Sequence, residues 1–339
     1  MQPPDGDVLT LNPQRCHPAV GGSDPLLYQV ELPYQATFYP MGYAVELSTN
    51  SADVLMVAAK LWRRYPALAE TAPVKIRVIC GPAGATSFRE PSLPRGQGHL
   101  FSIVHGAQDF AVADLTSGFA FACLSHLSIS DSSYFRYYFL EPLAYVLLAA
   151  RHFAFVHASC ISRNGRGILL CGDSGAGKTC LAYNCAKRGW DFVSGDAVHV
   201  VRGRNDHLVI GRPYEIRFRE TARELFPELR SAAPEVRASG KVDLEIDTSE
   251  LGIRVALQSA ARDVVFLERA EVTAIEKYSR EHAMQKLEAT VCFGDDRIRS
   301  EQRASLEGLG RLPLWRLQYS DPDRAESMLQ SLSRGDPPC

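Results

Sequence analysis

Short runs in which hydrophobic and polar residues alternate dominate the first 130 residues of the chain. Such alternation is typical of strands that bury one face, and the Gly, Pro and Ser residues between the runs are typical of turns. One stretch, SADVLMVAAKLWRRYPAL, instead repeats its apolar residues at helical spacing, and Ser51 before it predicts a helix cap. The pattern predicts an amino-terminal α+β domain over residues 1–130. Its strands are expected within residues 26–48 and in VKIRVIC, HLFSIVHG, DFAVADLT and GFAFACLSHL.

The pattern changes twice after residue 130. SYFRYYFLEPLAYVLLAAR has helical spacing and predicts a connecting helix within residues 131–152. From Phe153 onward strands alternate with helices, which is typical of an α/β core, and we assign this catalytic domain to residues 153–334. A flexible tail is predicted over residues 335–339. The expected strands are FAFVHASCI, ILLCG, DFVSGD, HLVIGRP, KVDLEI, DVVFLER and VTAIEKY, and the expected helices are TCLAYNCAKRGW, FRETARELFPELR, SREHAMQKLEATVCF and DPDRAESMLQSL.

Composition narrows the classes of partner and the compartment. The 37 basic and 39 acidic side chains nearly balance, so nothing indicates binding to nucleic acid or to an anionic membrane. The most apolar stretch, residues 138–157, is interrupted by charged residues and a proline, which favours a buried helix over a membrane span. The nine cysteines show no CxxC spacing and the amino terminus shows no export signal. We therefore expect reduced thiols and a cytoplasmic protein.

The strongest chemical signal is GDSGAGKTC at residues 172–180. Its first four letters also surround the nucleophilic serine of trypsin-like proteases, so Ser174 has two interpretations. A nucleophile would need a base and an orienting acid in a β-barrel, whereas the flanking runs predict a strand, a loop and a helix. The hydrolase elbow GxSxG fails as well, because Ala176 stands at its last glycine. We interpret Ser174 as part of a phosphate-binding loop.

Residues 172–179, the glycine loop, match the phosphate-binding motif GxxxxGK[ST] in full. Glycines let the backbone turn with its N–H groups around a phosphate, and the helix amino terminus adds a positive dipole end. Lys178 is expected to bridge the terminal phosphates and Thr179 to bind Mg²⁺. A glycine turn without a ligand is the structural alternative, and the absence of NKxD and LSGGQ sequences disfavours GTPases and transporter ATPases. The predicted nucleotide-binding residues are Gly172, Asp173, Ser174, Gly175, Ala176, Gly177, Lys178, Thr179 and Cys180.

Around this loop, VHASCISRNGRGILLCGDSGAGKTCLAYNCAKRGWDFVSGDAV resembles the C-terminal catalytic domain of HPr kinase/phosphorylase and its relatives. In that family a histidine lies about one strand before the loop, the loop reads GDSGxGKS, and an RG pair starts a strand that ends in two aspartates. His157, Arg188 and Gly189 match this pattern, whereas Thr179 replaces the serine and Gly195 replaces the first aspartate, which resembles a general base. The resemblance implies an α/β P-loop kinase core of the HPr-kinase type, with ATP and Mg²⁺ as cofactors.

The resemblance also implies roles for residues outside the loop. Asp196, the second aspartate, is expected to orient the metal and to act on the acceptor, or else to be a solvated strand end. His157 contacts the acceptor or the γ-phosphate in this interpretation, or lies in the core in the alternative. Glu215 and Arg217 correspond to a segment that faces metal and phosphates, with a surface ion pair as the alternative. Glu268 ends a second apolar strand as a rival metal or water-positioning residue, or as a simple strand-end charge. The predicted catalytic residues are His157, Lys178 and Asp196, and the predicted metal ligands are Thr179, Asp196 and Glu215.

Three functional hypotheses follow. The leading one is an ATP-dependent kinase that phosphorylates a serine hydroxyl of a peptide or small protein. The second is a nucleotide-binding regulatory protein in which Gly195 reflects lost catalysis, and the third is a kinase of a small metabolite. Lys241 and Arg269 are further candidates for phosphate contact, with solvated positions as the alternative. The resemblance allows a homo-oligomer.

Overall fold

The computed structural model describes residues 30–81, 93–105, 108–236, 242–289 and 293–335. Cys16, Lys241, Cys292 and Cys339 lie outside these ranges, as do residues 26–29 of the first predicted strands and the predicted tail from residue 336 onward.

The first sheet is mixed and has seven strands. Its elements are β1 (Tyr34–Phe38), β2 (Val45–Thr49), α1 (Ala52–Trp62), β3 (Val74–Gly81), β4 (Leu93–Gln97), β5 (Leu100–His105), β6 (Asp109–Asp114) and β7 (Phe119–Ser125). The strand order is β1-β2-β3-β7-β6-β5-β4. Strand β3 pairs in parallel with β2 and β7, and the other pairs are antiparallel.

Helix α1 packs against β1 and β2 through the apolar face that its spacing predicts. Val54, Ala58 and Trp62 are buried at intervals of four residues, as one face of a helix requires. The helix begins after Ser51, but the Ser51 side chain makes no capping hydrogen bond with any described residue. Its backbone N–H instead donates to Thr49 Oγ1 at 3.1 Å. The predicted helix is therefore confirmed, with Ser51 at the predicted N-cap position but without a capping side-chain hydrogen bond.

Three helices and a π-helical turn connect the first sheet to the second. They are α2 (His126–Ser130), α3 (Ser132–Phe135), the π-helical turn Arg136–Leu140, and α4 (Glu141–His152). Helix α4 contacts β3, β6 and β7 of the first sheet as well as the first strand of the second sheet. Its apolar residues therefore fill the core between the two sheets.

The second sheet has nine strands, with three parallel strands in its middle. The remaining elements are β8 (Phe153–Val156), β9 (Ser159–Arg163), β10 (Arg166–Cys171), α5 (Lys178–Lys187), β11 (Asp191–Ser194), β12 (Val198–Val201), β13 (Leu208–Ile210), β14 (Glu215–Phe218), α6 (Ala222–Leu225), β15 (Glu235–Val236), β16 (Val242–Asp247), β17 (Gln258–Arg269), β18 (Ala274–Lys277), α7 (Arg280–Glu288), α8 (Asp296–Leu309), β19 (Leu314–Tyr319) and α9 (Pro322–Arg334). The order is β11-β9-β10-β17-β13-β12-β8, and β19 pairs with β17 and β18. Strand β17 is parallel to β10 and to β19. A small antiparallel sheet, β14-β16-β15, lies apart from this order.

Strand β10 is buried on both faces of the second sheet. Ile168 and Leu170 belong to a core with α5 and α9, whereas Leu169 and Cys171 belong to a core with α7 and α8. A strand covered by helices on both sides needs such a continuous apolar run. The glycine loop that follows β10 thus starts from a rigid central strand.

Three sequence predictions of secondary structure need correction. FAFVHASCI is two strands rather than one, because a tight turn at His157 separates β8 from β9, with Ala158 N donating to Val156 O at 2.9 Å. FRETARELFPELR holds only the short helix α6 and a 3-10 turn, since Pro227 cannot continue an α-helix. Helix α8 and strands β12, β14, β15 and β19 were not among the expected elements. Among the described residues no helix combines the length and apolar character needed to cross a membrane.

Candidate active site

The glycine loop joins the end of β10 to the start of α5. Gly172 has φ of 144° and Gly177 has φ of 91°, both in the region that favours glycine. A Cβ on Gly172 would lie 2.9 Å from the Leu267 carbonyl oxygen, and a Cβ on Gly177 would overlap Arg269 and Tyr319. The loop therefore requires glycine at both positions, for backbone conformation and for close packing.

Lys178 lies at the first turn of α5 and folds back over the loop. Its Nζ donates to the carbonyl oxygens of Gly172 at 2.8 Å and Asp173 at 3.3 Å, and the residue is only 6% exposed. Burial lowers the pKa of Lys178, and the nearby charge of Asp196 opposes that shift. A buried cation held by two carbonyl dipoles is available to exchange them for phosphate oxygens.

Thr179 connects the loop to the end of β11. Its Oγ1 donates to the Gly195 carbonyl oxygen at 2.8 Å, and Ser159 Oγ donates to the same oxygen at 2.5 Å. A hydroxyl that donates its one hydrogen keeps its lone pairs for a cation. This contact brings Thr179 to the residue next to Asp196.

His157 and Asp196 form a pair beside the loop. His157 Nδ1 lies 3.3 Å from Asp196 Oδ1, and the two side chains are 43% and 65% exposed. His157 therefore does not lie in the core, and its exposure follows from the turn between β8 and β9. Asp196 keeps a second carboxylate oxygen toward solvent.

Three further cations surround the loop. Arg219 Nη2 donates to Ser174 Oγ at 2.6 Å, and Lys286 Nζ lies 3.4 Å from Asp173 Oδ2. Arg269 stacks over the Tyr319 ring at 4.5 Å, next to the position where a Gly177 Cβ would lie. Sequence reasoning proposed Arg269 only as a candidate and missed Arg219 and Lys286. Arg219 directly follows the YEIRF segment, which was the one signal that could have indicated it.

A cavity of about 460 Å³ opens beside the loop. His157, Lys286 and the loop residues from Gly172 to Ser174 supply its polar groups, and apolar residues form most of its wall, including Phe155, Val156, Phe266 and Leu287. We call it the loop cavity. Its size falls in the range of small-molecule sites, and a few polar groups in an apolar wall are typical of them.

Thr179 and Asp196 fit a Mg²⁺ ion. Within the described residues no cluster of three or more His, Cys, Asp or Glu side chains is placed to hold a metal ion. Mg²⁺ needs fewer protein ligands, because it keeps several waters and binds through one or two protein oxygens plus substrate phosphates. The free lone pairs of Thr179 Oγ1 and the exposed carboxylate of Asp196 match that requirement.

The structure does not bring Glu215 and Arg217 to the loop. Both belong to a buried network of three arginines and three glutamates that includes residues of β14. Burial raises the pKa of Glu215, but the guanidinium groups of Arg212, Arg217 and Arg136 outweigh it and hold the pKa at about 2. Metal binding by Glu215 stays a prediction that would require these ion pairs to open. The network consists of Arg136, Arg212, Arg217, Glu141, Glu215 and Glu245.

Glu268 and Cys180 have local structural partners. Glu268 Oε2 accepts a long hydrogen bond from Gln318 Nε2 at 3.4 Å and lies 3.9 Å from Arg316 Nη1, as a strand-end charge does. Burial raises the pKa of the Cys180 thiol, and Arg269 opposes the shift. Cys180 therefore follows the loop as a protonated thiol.

A buried strand, a glycine-rich turn with an inward lysine, and a helix that starts beneath the turn define the class of phosphate-binding-loop proteins. The second sheet carries this unit in its parallel centre, between helical layers. The class fixes where an anion binds and leaves the reaction to the surrounding residues.

Comparisons with known proteins identify the relationship more closely. Residues 148–220 match the family model described as the HPr Serine kinase C-terminal domain. One solved structure that matches is the Hpr(Ser) kinase/phosphatase from Coxiella burnetii, at 13% identity and a TM-score of 0.29, over 53% of this chain and 97% of that one. No curated protein sequence matches the chain.

Residues 148–220 are thus similar to the C-terminal domain of that family, and the predicted resemblance is confirmed. The predicted fold class, an α/β core of that type with an amino-terminal α+β region, is also confirmed. The matched segment contains His157, the glycine loop and Asp196. At a general level it supports a phosphotransferase.

Proposed function

We propose that the chain is an ATP- and Mg²⁺-dependent kinase that transfers the γ-phosphate to a serine hydroxyl of a peptide or small protein. The observation that carries this proposal is the meeting of Lys178, Thr179 and the His157–Asp196 pair around one glycine loop. Phosphoryl transfer needs mainly positioning and charge neutralisation, and this set of groups supplies both.

Each cationic group has a separate role in the proposed reaction. Lys178 neutralises the terminal phosphates in place of its carbonyl contacts, and Arg219 and Lys286 approach the loop from either side. Thr179 and Asp196 are the oxygen ligands of Mg²⁺, which when bound supplies further charge neutralisation at the phosphates.

The acceptor hydroxyl enters through the loop cavity, which His157 lines. When His157 Nδ1–H points to Asp196, Nε2 is left as the basic nitrogen. The acceptor oxygen bonds to the γ-phosphorus, and the bond between that phosphorus and the oxygen bridging it to the β-phosphate breaks, so that ADP leaves. The hydroxyl proton passes to His157 Nε2. The His157–Asp196 pair in this way takes over the work of the carboxylate that Gly195 lacks.

The test measures Mg–ATP binding by calorimetry and transfer from labelled ATP to serine, threonine and tyrosine peptides. Lys178→Ala should weaken Mg–ATP binding at least about tenfold. Lys187→Ala, an exposed lysine on the same helix, is the matched control and should bind like the unmodified chain. Equal Mg–ATP binding by Lys178→Ala and the unmodified chain would contradict the proposal.

Catalysis is tested separately from binding. His157→Gln should retain Mg–ATP binding and lower turnover about 100-fold, because it removes the proton acceptor. Asp196→Asn should lower turnover as well and should also weaken Mg–ATP binding, because it removes the carboxylate assigned to Mg²⁺. Labelled phosphate on serine alone supports serine as the acceptor. Label on a small metabolite would show instead that the acceptor is that metabolite.

Gly195 favours a second candidate function, a nucleotide-binding regulatory protein without transfer activity. Its distinguishing result is tight Mg–ATP binding, sensitive to Lys178→Ala, with no phosphate transferred to any acceptor and no ATP consumed. The two candidates therefore share the binding result and differ in turnover.

A further inference from the structure

A second cavity, of about 720 Å³, lies away from the glycine loop. Strand β12 pairs antiparallel with β8, so Val198 faces Val156 at the loop cavity and Val201 faces Phe153 at the far end. The second cavity begins at Val200 and Val201, and none of its described lining residues lines the loop cavity. We call it the arginine cavity, and its titratable lining residues are Arg151, Arg202, Arg204, His207, Glu301 and Arg311.

The arginine cavity has an excess of positive charge. Four guanidinium groups line it, and Glu301 is the one carboxylate among the described lining residues. Glu301 is shared, because it pairs with Arg202 at 2.9 Å and with Arg297, outside the cavity, at 3.0 Å. Arg311 makes no ion pair with any described residue. Arg204 pairs with Asp206, which does not line the cavity, at 2.6 Å. Two carboxylates, one of them shared with Arg297, therefore do not balance the four lining guanidinium groups.

Arg202 is the buried member of this group. Its side chain is 9% exposed, Nη2 donates to the Ala150 carbonyl oxygen at 2.7 Å, and Nε has no hydrogen-bond partner among the described residues. Burial lowers the pKa of Arg202, with Glu301 opposing the shift and Arg297 adding to it. A buried guanidinium with an unsatisfied N–H is costly unless an acceptor reaches it.

We propose that the arginine cavity binds a small anion that carries phosphate or carboxylate groups. Guanidinium groups bind both through paired N–H donors, and an anion would offset the mutual repulsion of the lining arginines. The cavity volume suits a small molecule. This site is independent of the glycine loop and of the proposed kinase activity.

The experiment titrates the full chain by calorimetry with glycerol 3-phosphate, citrate and, as the neutral control, glycerol. Arg204→Gln and Arg311→Gln change residues at the exposed rim, and each should weaken anion binding about fivefold. Arg324→Gln, an exposed arginine on α9, is the matched control and should have no effect. Glu301→Gln removes the one carboxylate among the described lining residues and should tighten anion binding about fivefold.

A Lys178→Ala chain separates this site from the glycine loop. Unchanged anion binding by Lys178→Ala supports the arginine cavity even if Mg–ATP binding fails altogether. Binding of glycerol 3-phosphate alone or of citrate alone supports the proposal and identifies the anionic group. The proposal is overturned if neither anion binds at millimolar concentration, if Glu301→Gln weakens binding, or if the two rim variants bind like Arg324→Gln. Thermal melts of each variant confirm that it is folded.

Discussion

The two departures from the family pattern, Thr179 and Gly195, touch each other in space. A Cβ added at Gly195 would lie 3.2 Å from Thr179 Cγ2 and 3.3 Å from Phe192 Cζ. Gly195 is not among the described glycines with positive φ, so the backbone itself accepts a side chain. Its side-chain space is instead occupied by the methyl group that distinguishes threonine from serine. We predict that Thr179 and Gly195 are energetically coupled.

The magnitude follows from that contact. Carbon atoms pack best at about 3.5–4.0 Å, so Gly195→Ala forces a shift of a few tenths of an ångström, at a cost of about 1–3 kcal/mol. Alanine also reduces the conformational freedom of the unfolded chain, which offsets up to about 1 kcal/mol of this cost. Thr179→Ser alone loses one methyl group and costs about 0.8 kcal/mol. The double variant should be more stable than the sum of the single effects by about 1 kcal/mol, because only Phe192 still crowds the new methyl group.

The assay is a double-mutant cycle in the free energy of unfolding from urea denaturation. Gly96→Ala supplies the control, because a Cβ there meets nothing within 4 Å, and its effect should add to that of Thr179→Ser. Single effects of Gly195→Ala and Thr179→Ser that add within about 0.3 kcal/mol would refute the reasoning. The same logic predicts that Gly195→Asp lowers phosphate transfer in the Thr179 chain and lowers it less together with Thr179→Ser.

Three further predictions concern stability. Burial, followed by the charge of Arg212, lowers the pKa of His199 to about 3. As the pH drops below about 6.5, His199 therefore binds a proton in the unfolded chain but not in the folded chain, and the free energy of unfolding falls. His199→Gln should remove about 1.4 kcal/mol of this loss per pH unit between pH 6.5 and 4, as measured by urea denaturation at several pH values. A matching slope in both chains would contradict it. Arg136→Met leaves three buried carboxylates short of a partner and should cost about 3–5 kcal/mol in guanidinium denaturation, with a loss under about 1 kcal/mol as the opposing result. Tyr319→Phe removes the hydrogen bond to the Ala176 carbonyl oxygen, 2.9 Å long, and should cost about 1 kcal/mol; an unchanged urea midpoint would rule that out.

The sequence predicted the central unit because its signals are local. A buried apolar strand, a glycine motif and a helix of fixed spacing need no distant contact to be recognised, and the structure has all three. Helix α8 was not predicted because its buried face has a polar residue at a core position. The buried residues are Ile298, Gln302, Leu306 and Leu309. Gln302 Oε1 accepts there from Phe293 N at 3.3 Å, whereas its Nε2 has no partner among the described residues. Its Asp295 cap was the signal that could have revealed the helix.

Sequence patterns predicted only the site residues that lie within the one continuous segment carrying the motif. Arg219, just after β14, and Lys286, on α7, are separated from the loop in sequence and meet it only in the folded chain. Glu215 was the reverse case, since a motif placed it at the loop and three arginines hold it elsewhere. Charged residues have no periodicity that indicates their partners, so their pairing follows from the tertiary fold.

The ion-pair network is better explained by positioning than by stability. Buried ion pairs often stabilise a fold no more than apolar residues of equal volume would. Here the network holds Glu215 and Arg217 of β14 to Arg136, which lies in the π-helical turn before α4. The same short strand ends at Phe218, and the next residue, Arg219, donates from its guanidinium to Ser174 in the glycine loop. The network therefore fixes the strand that aims this cation at the loop, and it ties the helices beside the first sheet to the glycine-loop end of the second.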